Sequence, residues 1–555
     1  MMKTIFLTTV VLSILLFGII SNLTAETVIP GGNVSGTWTA AGSPYLIQGS
    51  ITIPTDSTLN IEPAVEVNFQ GIYSLTVNGL LEAVGTETDS IHFIPADTAS
   101  FWRGIHFSDA PDSSHLVFCT ISHVGQMFYD LCGIICTNSN PVITHCRISD
   151  NTARSAGSNF AGGITLNNSN PEISWCNIIN NVGNMVGGGI RIISSSPAIT
   201  GCNISDNVAQ YLGGGISITG NSSPMITNCA IERNLTDGGY GGGIYSEGDM
   251  VTISECSFSY NEAFDEGGGI SIHAGSVILD HCIFEHNQCQ QFGRNAGGGV
   301  YISGDTLTVD HCTFYLNLAD INDHDAGLDI QTANSAVATI SNSIFSGVWF
   351  LIRFDSSVPA SVSYNDFQIA APSMYFWGNV PPGLGDLMQT NPGGDSCDVF
   401  YNIYLDPLFA DFNNGDYRLT ENSPCIDAGD PNSPDDPDGT IADLGAFFYE
   451  APNGVDDYSA GLPSRISLSQ NYPNPFNPST VIRFNLPRRS HVSIVVFNLL
   501  GQKVVELANE EYPAGNHLVT WDGESSSGQR VSTGVYFYRL VAHDYIDTKK
   551  MILLK

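Results

Sequence analysis

Two glutamates, Glu232 and Glu285, each follow a cysteine by three positions (Cys229 and Cys282), and a third, Glu255, directly precedes Cys256. Paired carboxylates are what glycoside hydrolysis uses, one as acid and the other as base or nucleophile, with their separation setting the stereochemistry. His281, His311 and Tyr315 fall at neighbouring phases of the same pattern, and imidazole is the commonest general acid or base near neutral pH. If each cysteine marks one turn of a stacked structure, Glu232 and Glu285 are two strand spacings apart, roughly 9.6 Å. That lies near the range of inverting glycosidases. A sugar-cleaving centre can therefore be drawn from Glu232, Glu255, Glu285, His281 and His311. Against it, the same surface offers only Arg147 and Arg233 as basic groups, and outward polar residues are by default solvated.

What positions these groups is a repeat. Cys119, Cys146, Cys176, Cys202, Cys229, Cys256, Cys282 and Cys312 are spaced by 27, 30, 26, 27, 27, 26 and 30 residues, each with Ile or Phe two positions later. From the second copy on, an Asn follows the cysteine by five: Asn151, Asn181, Asn207, Asn234, Asn261, Asn287 and Asn317. Glycine runs ending at Gly163, Gly189, Gly215, Gly243, Gly269 and Gly299 recur in phase, each leading into Ile or Val and then alternating apolar and polar residues. Such runs are short strands with one buried face. A repeat this short cannot bury that face alone and must stack on its neighbour. The predicted fold is all-β, a parallel β-helix over residues 26–372. Its cysteines form an inward column of free thiols, its asparagines an inward ladder of amides, and its glycines sharp turns of positive φ. Alternation puts the flanks of each cysteine strand outside: His145, Arg147 and Ser149 in one copy, Gly201, Asn203 and Ser205 in another, with Ser259 and Thr313 at corresponding places.

This pattern resembles the right-handed parallel β-helix repeats of bacterial surface and secreted proteins, including the Gly-Gly repeats of polymorphic outer membrane proteins. The resemblance implies fold, not activity. The early segment Glu62-Pro63-Ala64 is similar to first coils in which Gly usually follows Glu-Pro, so Ala64 departs from the pattern.

Residues 1–25, with Lys3, an apolar run from Ile5 to Ile20 and Ala25, read as a secretory signal peptide; no later stretch is long enough to span a membrane. A net charge of -36 argues against nucleic acid as a partner. Of 19 basic residues, 9 precede residue 456 and 10 follow it, a shift that marks a domain boundary. Residues 373–450 are an acidic, loop-rich flank in which Cys397 and Cys425 are the best candidates for a disulfide. Asp430, Asp435, Asp436, Asp438 and Asp443 cluster around turn residues there, a set that a hard cation such as calcium could use. No other cofactor is indicated.

After a linker at 451–465, residues 466–555 alternate as short strands of a small β-sandwich of Ig-like type. The phrase around Asn474, Pro475 and Phe476, the strand carrying Gly534 and Tyr536, and the basic end with Lys549 and Lys550 resemble the type A C-terminal sorting domain of type IX secretion. That resemblance implies export to the surface or the medium by the type IX machinery. The favoured reading is a surface adhesin or carbohydrate-binding protein without catalysis, whose partners are extracellular polysaccharides or host glycans; the alternative is an extracellular polysaccharide lyase or glycoside hydrolase.

Overall fold

The computed structural model describes residues 26–449 and 467–553, apart from 98–99, 127–131, 154–159, 291–296, 320–327, 335, 348–349, 355–359 and 369–375 in the first part and 469–470, 472–479, 487–489, 499–501, 513–514, 522, 527–529 and 543–544 in the second. Residues 1–25, read above as a signal peptide, the linker and Asn474, Pro475 and Phe476 lie outside the described residues. The chain divides between Glu450 and Ala451, where the linker begins.

The first unit is a parallel solenoid. Three sheets of 14, 14 and 13 strands run its length, with a narrow fourth of eight. One carries the cysteine-led strands, such as Arg147–Ser149, Ala230–Glu232 and Ile283–Glu285; a second carries the glycine-led strands, such as Ile216–Thr219 and Ile270–Ile272; the third carries strands such as Met225–Thr227 and Thr306–Asp310. Register is strict, residue over equivalent residue: Ile231 pairs with Phe258 and Phe258 with Phe284. The apolar column therefore becomes a stack of rings, Phe258, Phe284, Phe314 and Phe345, with centroids 4.6, 4.8 and 4.8 Å apart. Such pairs contribute about 0.5 to 1.5 kcal/mol each beyond burial. Pairing continues past residue 372 to Phe376–Gly378, and the flank belongs to the same compact unit.

Both ladders form. From Asn151 to Asn287 each Asn amide donates to the next Asn side chain, as Asn207 does to Asn234 and Asn234 to Asn261 at 3.0 Å, and also to a carbonyl of the preceding coil, as Asn234 does to Ile204 at 2.8 Å; the last, Asn317, donates to buried Asp329 at 2.9 Å. The thiols are more than soft apolar filler. Cys229 Sγ accepts the backbone N–H of Cys202 at 3.4 Å and donates to the Thr227 carbonyl at 3.3 Å. Where the cysteines end, Ser343 Oγ takes over as acceptor for Cys312 N–H at 3.0 Å, and Asn365 does so for Ser343. The column thus selects for a small acceptor, which Cys, Ser and Asn all supply. Burial pushes the thiols of Cys146 and Cys282 well above their ordinary pKa. Alkylation without denaturant is expected to leave Cys202, Cys229 and Cys256 untouched and to label them fully once the chain unfolds. Ready labelling of the native protein would mean that the column does not face inward.

Three expectations need correction. Cys397 and Cys425 are both free: the Cys425 thiol donates to buried Asp366 at 3.4 Å, while Cys397 is held in a short strand opposite Gln389. Only the first glycine of several runs has positive φ, as Gly213 does at 65°. The third is required for close approach, since a Cβ on Gly215 would sit 2.6 Å from the Gly243 carbonyl of the next coil. Ala64 keeps the left-handed turn that Gly would be expected to make, at φ 64°, a backbone that costs an L-residue roughly 1 to 2 kcal/mol.

The second unit has a three-stranded and a four-stranded antiparallel sheet around a core that includes Ile482, Phe484, Val496, Trp521, Tyr538 and Met551. Gly534 and Tyr536 open the strand Gly534–Ala542, and Lys549 and Lys550 lie in the strand Tyr545–Leu553. Tyr536 packs edge-on against Trp521 at 5.1 Å.

Candidate functional site on the cysteine-led face

The outer face of the cysteine-led sheet is bordered by two corner columns. One is the residue before each cysteine: His145, Trp175, Gly201, Asn228, Glu255, His281, His311 and then Asn342, all with φ between 46° and 65°. The other lies four positions after the cysteine and includes Asp206, Arg233, Tyr260 and His286, with φ between 51° and 57°. Left-handed corners bend the coil and aim these side chains away from the core. Gly201 is the exception that lets a neighbour in, for a Cβ there would meet the Trp175 ring at 2.5 Å.

Between the corners the predicted exposure fails at several positions. Ser149, Ser205, Ser259 and Thr313 are buried. Ser205 lies in register between Ile179 and Glu232, and Ser259 between Glu232 and Glu285. One strand spacing from two larger neighbours, a serine is shielded without pointing inward. Thr313 is covered from outside, where its hydroxyl accepts the Ala446 N–H at 3.0 Å.

Glu232 and Glu285 do occupy one column, two rungs apart. Their surroundings differ. Glu232 is paired with Arg233 at 3.0 Å, and Arg233 grips Asp206 on the coil below through two bonds of 2.9 and 3.1 Å; these carboxylates, Asp206 foremost, raise the guanidinium pKa. Glu285 accepts the hydroxyl of Tyr417 at 2.5 Å. Tyr417 is buried, and burial followed by the Glu285 carboxylate raises its pKa. It arrives from the flank hairpin Phe409–Asp411 and Asp416–Leu419, whose Phe412 also approaches Tyr315. The flank thus folds over the last rungs of this face, while Trp175 and Tyr260 on earlier rungs are about half exposed among the described residues. Glu255 stands on the corner column, apart from the other two glutamates.

The remaining candidates, His281 and His311, stack at 4.7 Å with an 8° interplanar angle. Each faces the aspartate that precedes it: His281 Nδ1 lies 2.8 Å from Asp280 and His311 Nδ1 3.3 Å from Asp310. Burial opposes the charged imidazolium of His281, but Asp280, Asp310 and Glu255 outweigh it and raise the pKa. Burial likewise opposes ionisation of Asp310, yet bonds from His311, Ser341 and Asn342 hold it below the usual carboxylate range.

Of the five acidic residues of the flank, Asp430 and Asp436 lie beside this corner. The Asp430 N–H donates to Asn342 Oδ1 at 2.7 Å, and Asn342 Nδ2 donates to Ser433 at 3.0 Å. Asp430, Asp436, Asp438 and Asp443 each accept a backbone N–H within the loop, as Asp436 does from Asp443 at 2.7 Å. Burial lifts the carboxyl of Asp443 to about 7 and that of Asp366 to about 8. Tyr417, Asn342, Asp280 and Asp310 escaped the sequence reading. The repeated Asp-His pair, 280–281 and 310–311, was a usable signal for two of them; nothing local marks Tyr417 as a partner of Glu285.

Residues 100–238 and 214–378 match the family model described as right handed beta helix region, and residues 470–554 match that described as secretion system C-terminal sorting domain. None of the curated proteins matches the chain. Among solved structures, dimeric latent PorU from Porphyromonas gingivalis is similar over 17% of this chain and 10% of its own length, at 20% identity and a TM-score of 0.15.

Proposed function

The chain belongs to the right-handed β-helix family and is exported through the type IX secretion system to the cell surface or the medium, and from that premise we propose that its solenoid is a non-catalytic adhesin that binds carbohydrate on the earlier rungs of the cysteine-led face. The observation that supports this is a pair of exposed aromatic rings, Trp175 and Tyr260, 52% and 53% exposed on opposite border columns, each with one face packed, on Gly201 and on His286, and with Asp206, Arg233 and Glu232 between them in the rungs. Flat rings stack on the C–H faces of sugars, while carboxylate and guanidinium groups bond their hydroxyls. A net charge of -36 repels polyanions and so favours neutral or cationic glycans. A signal peptide at residues 1–25 would carry the chain to the periplasm first.

Incubation of the full chain with a panel of neutral, basic and acidic polysaccharides is expected to give retention without new reducing or unsaturated ends. Trp175→Ala and Tyr260→Ala should each weaken retention about fivefold or more, the factor that 1 kcal/mol represents. Retention unchanged in both variants would remove the face from the proposal. The aligned Glu232 and Glu285 support the alternative, a lyase or glycoside hydrolase, and released products that vanish in Glu232→Gln would establish it instead. Calcium at Asp430, Asp435, Asp436, Asp438 and Asp443 enters this proposal as a stabiliser of the covering loop, and the calcium arm of the titration below tests it.

A further inference from the structure

We propose that Asp280, His281 and His311 form a binding site for one divalent ion of the zinc, nickel or copper class, bridging two successive coils at the corner where the third sheet meets the cysteine-led sheet. One ligand atom from each of the three residues lies within 4.8 Å of the others. The arrangement follows from register. Asp280 pairs with Asp310 across adjacent strands, so the Asp-His pairs repeat one rung apart and the same left-handed corner, φ 50° and 46°, presents both imidazoles on the same side.

The roles within the cluster are unequal. Asp310 accepts from Ser341 at 2.9 Å and Asn342 at 2.8 Å and faces His311 Nδ1 at 3.3 Å, which is how a carboxylate orients a metal-bound histidine without binding the ion itself. His311 is 8% exposed, whereas the side chains of Asp280 and His281, bonded to each other at 2.8 Å, are 45% and 42% exposed. With metal–nitrogen bonds of about 2.1 Å, two ligand atoms on one ion lie at most about 4.2 Å apart. Binding would draw the two exposed side chains a few tenths of an ångström towards His311.

Ligand chemistry selects the ion. Two imidazoles and one carboxylate suit zinc, copper or nickel, whereas calcium takes six to eight oxygens. The cysteines, which would otherwise compete for a soft metal, are all buried. Glu255 on the rung below and Asp436 of the flank loop add negative field near the histidines.

The test is equilibrium dialysis of the chelator-stripped full chain against zinc chloride, with calcium chloride in a parallel arm, together with the visible absorption of a cobalt-substituted sample. One saturable zinc per chain is expected, with cobalt bands of nitrogen and oxygen ligation and a rise in thermal midpoint with zinc concentration. His281→Asn, at an exposed corner that asparagine tolerates, and Asp280→Asn should each weaken zinc binding at least tenfold while leaving the metal-free midpoint unchanged. Absence of saturable zinc binding, or zinc binding equal in wild type and His281→Asn, would overturn the site and leave the rings as a stacking pair only. Calcium displacing zinc would overturn it too, whereas calcium binding that ignores both variants but is lost in Asp436→Asn belongs to the acidic loop.

Discussion

A chain lacking residues 466–555 is expected to accumulate, folded, in the periplasm of a host with the type IX machinery, and its surface and extracellular pools should disappear. The reason is division of labour. The solenoid completes its own core and closes with its own flank before Glu450, and the second unit has a separate core and is the part that matches the sorting-domain family. Fusion of the same segment to an unrelated folded protein behind a signal peptide should carry that protein outside. Normal export of the truncated chain would show that the unit is no address and would return it to consideration as an adhesive module.

Asn234→Leu is expected to be the most damaging single change in the solenoid. Leucine removes both amide donors, to Ile204 and Asn261, and the acceptor of two bonds from Asn207. The Asn207 N–H is then left without its partner in the dry interior, at a cost of about 1 to 3 kcal/mol, and Asn207 Nδ2, Asn261 Oδ1 and the Ile204 carbonyl each lose one bond as well. The matching control is Asn177→Leu, on the outward side of the strand Asn177–Ile179. Asn228 is exposed but unsuitable, because its φ of 53° would strain a leucine whatever the ladder does. Chemical denaturation should separate Asn234→Leu from Asn177→Leu by several kcal/mol; coincident midpoints would refute the ladder.

The repeat was legible because it is local and periodic. A cysteine, an apolar residue two positions on and an Asn five on define a coil whose every neighbour carries the same residues, so register and core follow without any long-range information. The handover from Cys312 to Ser343 and Asn365 was not legible, since the column's need for an acceptor shows only in the hydrogen bonds. Nor was the burial of Ser205 and Ser259, which depends on the size of residues one coil away rather than on alternation. The covering of Glu285 by Tyr417 joins positions 132 residues apart and left no periodic trace. Of the candidate catalytic set, the pairing of the Glu232 and Glu285 columns was readable; their unequal partners were not.

Strict residue-over-residue stacking also makes length a quantity that can change without redesign. A sheet of 14 strands at a spacing of about 4.8 Å extends roughly 60 Å, and each inserted or deleted repeat would alter that reach by one rung while leaving the capping loop, the first coils and the export label untouched. Duplication of some 27 residues would thus lengthen the solenoid by a fixed increment, with no new core to be built.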